Sequence, residues 1–135
     1  MVYLDSNVFL YTLLHDGSSN PKAQRAADIL RGVEDGKARG FSSLLTWDEV
    51  VWVVWRLSGY EYALKAGASI LRIPNMTFVG VDERVILRAQ DLVERHRLRP
   101  RDAIHASTAM LVGEREIVSD DADFDGVRDI SRVPL

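Results

Sequence analysis

The 135-residue chain contains no cysteine. That absence excludes a disulfide framework, a thiolate metal site and a thiol nucleophile, so any chemistry falls to oxygen and nitrogen groups. Long apolar runs are missing as well. The longest, Val50 to Trp55, is far short of the roughly 20 residues that span a bilayer. Met1-Val2-Tyr3-Leu4-Asp5 offers neither a basic stretch nor a small-residue cleavage site, so it does not read as a signal peptide and a cytoplasmic location is expected. A basic surplus is also lacking: 17 basic residues face 20 acidic ones, a net charge of −3. This counts against a protein that wraps nucleic acid by charge alone. Lysine is scarce, 3 residues against 14 arginines, and arginine suits bidentate phosphate contacts better.

What is present is an ordinary globular composition, 47% apolar and 27% charged, at a length that suits one domain over residues 1–135. Val2-Tyr3-Leu4 is a short apolar run ending in the helix-capping residues Asp5-Ser6-Asn7, which predicts a buried strand feeding a helix over about Asn7 to Leu14. Apolar residues recur at helical spacing from Lys22 to Glu34, and Gly40-Phe41-Ser42-Ser43 reads as a second short strand. Leu44 to Leu57 has strand-favouring valines and tryptophans, yet its length and its acidic start and basic end predict a helix. Further helices are expected over Glu61 to Ile73, from the cap Asp82 to about Arg97, and over Arg101 to Val112. Strands are expected at Thr77 to Val81, Glu116 to Val118 and, last, Val127 to Ile130. Alternating strands and helices predict an α/β domain with helices on both faces of a mostly parallel sheet of four or five strands.

In such sheets sites form beyond the carboxyl ends of the strands. Asp5 follows the first strand directly, and Asp120 and Asp121 follow Ile117-Val118-Ser119; Asp102 opens a helix, and Glu49 lies in the first turn of another. Carboxylates from such distant segments have one chemical use if they converge, which is to hold a hard cation such as Mg²⁺ or Mn²⁺. Each acid also has a local explanation. Asp5 suits an N-cap, Glu49 suits a capping box with Thr46, and Asp102 suits the helix dipole.

Tyr3-Leu4-Asp5-Ser6-Asn7-Val8-Phe9-Leu10 resembles the N-terminal motif of PIN-domain nucleases. Thr46-Trp47-Asp48-Glu49-Val50 is similar to their second acidic segment, and Arg99-Pro100-Arg101-Asp102-Ala103-Ile104-His105-Ala106-Ser107 to their central motif. Ile117-Val118-Ser119-Asp120-Asp121-Ala122-Asp123-Phe124 resembles the last, with Ser119 where the family pattern Thr-x-Asp-x-Asp-Phe has threonine. The motifs keep the family's order across essentially the whole chain, at the length of the small VapC-like toxins. The resemblance implies a three-layer PIN-like fold and a Mg²⁺- or Mn²⁺-dependent endoribonuclease that uses metal-activated water. It places the acidic positions at Asp5, Glu49, Asp102 and Asp121, with Asp5 and Asp102 as the principal metal pair, Asp123 as a further candidate, and Asn7 and Ser119 supporting the ligands. It also implies an RNA substrate and a cognate antitoxin as partner.

Arg97, Arg99 and Arg101 crowd around Asp102 and are candidates for the RNA backbone. Arg84, Arg88 and Arg95 share a helical face, where pairing with Asp91 and Glu94 is the stronger expectation for the first two. His105, three residues beyond Asp102, is expected to be a packed core residue. The helix carrying Trp47, Trp52 and Trp55 is apolar nearly all round, which predicts a protein partner for part of it, a second copy of the chain or an antitoxin. Two other readings compete: an RNA-processing nuclease without an antitoxin, and a receiver-like binding domain. The second would want paired acids after the first strand and a lysine near the last, and here Asp5 stands alone while Lys22, Lys37 and Lys65 all precede the third strand.

Overall fold

The computed structural model describes residues 1–135. Five short strands, β1 (Val2–Leu4), β2 (Gly40–Ser43), β3 (Met76–Val79), β4 (Glu116–Val118) and β5 (Ser131–Val133), form one sheet in the order β3-β2-β1-β4-β5. Every pairing is parallel, with Tyr3 opposite both Phe41 and Ile117. Six helices connect them: α1 (Ser6–Leu14), α2 (Pro21–Glu34), α3 (Leu45–Ser58), α4 (Tyr60–Ile70), α5 (Glu83–His96) and α6 (Pro100–Leu111). A 3₁₀ turn, Ala122–Gly126, leads from β4 toward β5. No helix is long and apolar enough to cross a membrane.

Alternation along the strands divides the core in two. Leu4 and Val118 point to the face covered by α1 to α4, where they pack with Val8, Phe9, Leu30 and Val50. Tyr3 and Ile117, one residue earlier, point to the face covered by α5 and α6, with Ala103, Ala106 and Phe124. The result is the three-layer α/β/α sandwich expected from the sequence. The strand order reverses at β1, from which the chain runs outward to β2 and β3 on one side and later to β4 and β5 on the other. The crevice between the carboxyl ends of β1 and β4 is therefore the topological switch point, the position where open parallel sheets place their sites.

The local signals account for most element limits. Asn20 accepts hydrogen bonds from the Lys22 and Ala23 N–H groups and Pro21 starts α2, while Asp82 accepts from Val85 N–H at the start of α5. Three expectations differ from the structure. The last strand is Ser131–Val133 rather than Val127 to Ile130, because Val127 and Ile130 are buried by packing beneath the 3₁₀ turn, not by strand pairing. Helix α4 ends at Ile70, with Leu71 and Arg72 in a turn. The strand expected over Thr77 to Val81 is Met76–Val79.

Candidate active site at the carboxyl ends of β1 and β4

Asp5 leaves β1 in an extended conformation and caps α1, its Oδ1 accepting from the Ser6 N–H at 2.7 Å. Its Oδ2 accepts from the Ser119 hydroxyl at 2.6 Å and from Asn7 Nδ2 at 3.2 Å. The capping role and the site role are thus filled by the same carboxylate. Ser119 also accepts from the Asp121 N–H at 2.9 Å and from Asn7 Nδ2 at 3.1 Å, while Asn7 Oδ1 accepts from the Asp120 N–H. One hydroxyl and one amide, those of Ser119 and Asn7, therefore lock the end of β1 to the end of β4.

Asp121 caps the 3₁₀ turn by accepting from the Asp123 N–H at 2.9 Å. This brings the Asp121 and Asp123 side chains toward Asp102 in the first turn of α6, and one carboxylate oxygen from each of the three lies within 4.8 Å of the others. Asp102 bears the electrostatic consequence. Burial, the charges of Asp121 and Asp5, and a hydrogen bond with Asp121 push its carboxyl from the ordinary 3.8 up to about 7, against a smaller opposing effect of His105. Like charges held together in a half-buried crevice favour the proton on one of them.

Glu49 does not form the capping box expected from Thr46. The residue before α3 is Leu44, with no side-chain cap, and Thr46 is buried against Ser42, their hydroxyl oxygens 2.6 Å apart. Glu49 is left to reach His105, whose Nε2 lies 2.6 Å from Glu49 Oε1 and 3.4 Å from Asp5 Oδ1. Across the ring, Nδ1 sits 3.0 Å from the Tyr3 hydroxyl. His105 is fully buried, as the sequence suggested, but it is not an inert core residue. Burial opposes its charge, and Asp5 and Glu49 outweigh that to hold the imidazole above its ordinary 6.5. The spacing from Asp102 put it on the right helix face; nothing local pointed to Tyr3 or Glu49 as its neighbours.

The surrounding acids have cations of their own. Asp120 is paired with Lys22 Nζ at 2.6 Å and accepts from the Tyr11 hydroxyl at 2.7 Å; Asp125 is held in a two-bond fork by Arg132 at 2.8 and 3.0 Å. Asp120 thus turns away from the cluster that its neighbour Asp121 joins. Asp102, Asp121 and Asp123 carry no ion pair. Three oxygen donors without a protein cation fit a divalent metal ion of hard character.

The PIN domain pattern matches residues 2–130. The chain belongs to the PIN-domain family. The same fold recurs in solved structures that this PIN domain resembles over nearly their full length. VapC20 of Mycobacterium tuberculosis, described as a sarcin-ricin loop cleaving toxin, superposes with a TM-score of 0.76 at 16% identity, covering 95% of both chains. A chain of VapBC2 from Rickettsia felis, solved on a DNA fragment from its promoter, gives 0.74 at 15% identity over 99% of this chain and 98% of that one. A toxin–antitoxin complex from Klebsiella pneumoniae gives 0.66 at 21% identity, over 97% and 96%. No curated protein matches this chain in sequence.

Around the site, Arg97, Arg99 and Arg101 are exposed or nearly so and form no ion pair, apart from the buried stem of the segment at Leu98, and Arg97 ends α5 in a left-handed conformation with φ 54°. Arg84 pairs with Asp82 and Arg95 with Asp91, so those two sit in local ion pairs, whereas Glu94 bonds Gln90. On the opposite face, Val50 and Val54 of α3 are buried while Trp47, Trp52 and Trp55 stay about half exposed. Together with Tyr60 and Leu64 of α4, Trp47 and Trp55 border a depression of about 360 Å³.

Proposed function

We propose that residues 1–135 form a single PIN-type endoribonuclease domain that cleaves RNA phosphodiester bonds with Mg²⁺ or Mn²⁺, and that it acts in the cytoplasm as the toxin of a toxin–antitoxin pair. The observation that carries this reading is the convergence of Asp102, Asp121 and Asp123 within 4.8 Å at the switch point, without a protein cation to neutralise them. Asp5 and Glu49 extend the negative end: Ser119 joins Asp5 to the Asp121 N–H, and His105 joins Glu49 to Asp5. A divalent ion held by these carboxylates would supply Lewis acidity at a phosphoryl oxygen and acidify water at neutral pH. The chain's own part is to fix the donors. Asp5 is clamped by three hydrogen bonds, and Asp121 is oriented by the Ser119 hydroxyl below it and by the 3₁₀ turn it caps. Arg97, Arg99 and Arg101 add unpaired positive charge beside Asp102, where it favours the approach of a phosphate backbone to an acidic crevice.

The toxin assignment is supported by likeness to VapC-type chains and by the half-exposed tryptophan face, which suits a protein partner, an antitoxin or a second copy. The test is cleavage of a single-stranded RNA by the wild type, Asp5→Asn and Asp102→Asn, each with Mg²⁺, Mn²⁺ or EDTA. Cleavage is expected only for the wild type with metal. Undiminished cleavage by either variant, or in the chelator, overturns the reading. Light scattering with and without the product of a neighbouring small reading frame separates self-association from antitoxin capture.

A further inference from the structure

His105 is a fully enclosed ionisable group at the acidic end, and cation binding by the aspartates gives it no task. It is 0% exposed, and its two ring nitrogens face three different segments: β1 through Tyr3, α3 through Glu49, and the β1–α1 junction through Asp5. Nε2 faces two carboxylate oxygens, so it must carry a proton, since an unprotonated nitrogen there would set a lone pair against two anionic acceptors. The ring cannot turn away. Tyr3 meets it edge-on at 75°, with centroids 6.0 Å apart, and holds Nδ1 at 3.0 Å. Burial of both Tyr3 and His105 closes the network to water that could replace either partner.

We propose that His105 is a positioning residue: its Nε2–H, aimed by Tyr3, donates to Glu49 while facing Asp5 at 3.4 Å, and fixes the angle at which these carboxylates stand toward the cation cluster of Asp102, Asp121 and Asp123. The proposal rests on the reading of that cluster as the cation site. Glu49 then acts through the imidazole rather than as an isolated acid, and the α3 helix is registered against β1 and α6 by one proton. Outer-layer partners of ligand carboxylates affect metal affinity by about 10- to 100-fold when removed.

The test compares His105→Gln with His105→Asn. A glutamine amide nitrogen reaches the place of Nε2, whereas an asparagine amide nitrogen reaches only that of Nδ1. Mn²⁺ binding to each variant and to the wild type is measured by titration calorimetry at one fixed pH, with circular dichroism and melting to establish folding, and RNA cleavage is followed in parallel. Gln is expected to stay within about 5-fold of the wild-type Mn²⁺ affinity, and Asn to fall by about 10- to 100-fold. In cleavage, kcat should fall for Asn with KM for RNA unchanged. Equal affinities for Gln and Asn, or a wild-type affinity in Asn, overturn the proposal. If Asn does not fold, nitrogen-15 spectra of the wild type decide: a proton on His105 Nε2 supports it, and one on Nδ1 alone overturns it. A wild type that binds no Mn²⁺ instead brings down the cation-site reading, which keeps the two failures distinct.

Discussion

Replacing Asp102 by asparagine should make the metal-free protein more stable while removing its response to metal. The wild-type carboxyl is raised from 3.8 to about 7, so folding favours its neutral form. For an acid displaced in this direction, stability is intact below the unfolded value, declines as pH rises from about 4, and is lost in full above about 7. At 1.36 kcal/mol per pH unit the displacement corresponds to about 4 kcal/mol. A like-charge pair at 4.8 Å, the spread of the cluster, gives about 3.5 kcal/mol at an effective dielectric of 20. Because the side chain is half-exposed we halve these figures for solvent screening, to about 2 kcal/mol. Asparagine escapes the penalty at every pH. In EDTA at pH 8 it should gain about 2 kcal/mol, or about 6–10 °C in Tm for a chain of this size, and at pH 5 less than about 1 kcal/mol. Saturating Mn²⁺ should reverse the order, since about 100-fold excess over Kd stabilises a binding protein by about 2.7 kcal/mol and should do little for the variant. The assay is a thermal melt of both proteins at the two pH values, in EDTA and in Mn²⁺. An asparagine variant that melts below the wild type at pH 8 in EDTA, or gains equally at both pH values, would refute the charge-crowding account. Equal stabilisation of both proteins by Mn²⁺ would refute the place of Asp102 in the cation site.

Ser119→Ala removes the hydroxyl that donates to Asp5 and accepts from Asp121 N–H, leaving buried partners unsatisfied; a loss of about 1–3 kcal/mol in denaturant melts and a marked loss of cleavage are expected, with Ser119→Thr retaining both. Asn20→Ala, which removes none of the acidic groups, should lower stability by about 1 kcal/mol in denaturant melts by uncapping α2. Arg99→Gln with Arg101→Gln should weaken RNA binding and flatten its salt dependence by about 0.7 for each phosphate that an arginine no longer neutralises, without moving Tm; an unchanged slope would show that these arginines do not meet the backbone.

The sheet was readable because each strand is a brief apolar run closed by turn or capping residues, and parallel order follows from the helices between them. The ambiguous stretch from Leu44 to Leu57 resolved as a helix in which Thr46, Val50 and Val54 face inward and the tryptophans stay half-exposed. Val127 to Ile130 misled because apolar character records burial and not hydrogen-bond pairing, while the true edge strand, Ser131–Val133, has a single apolar residue. At the site, Asp5, Asn7, Ser119 and Asp121 were legible from motif order. The turn that brings Asp123 beside Asp102, and the burial that ties Tyr3, His105 and Glu49, depend on contacts between segments tens of residues apart, which no local pattern encodes.

The central pairing of β1 with β4 has a temporal consequence. Ser119 and Asp5, which hold the acidic crevice together, are separated by 114 positions. A chain emerging from the ribosome amino end first, at about 5–20 residues per second, therefore makes β1 several seconds or more before its neighbour β4, Asp121 and Asp123. The crevice is assembled only after the chain has been made through β4 and the turn that follows it. The sheet order thus sets when the crevice can form: it waits for β4 to take its place beside β1.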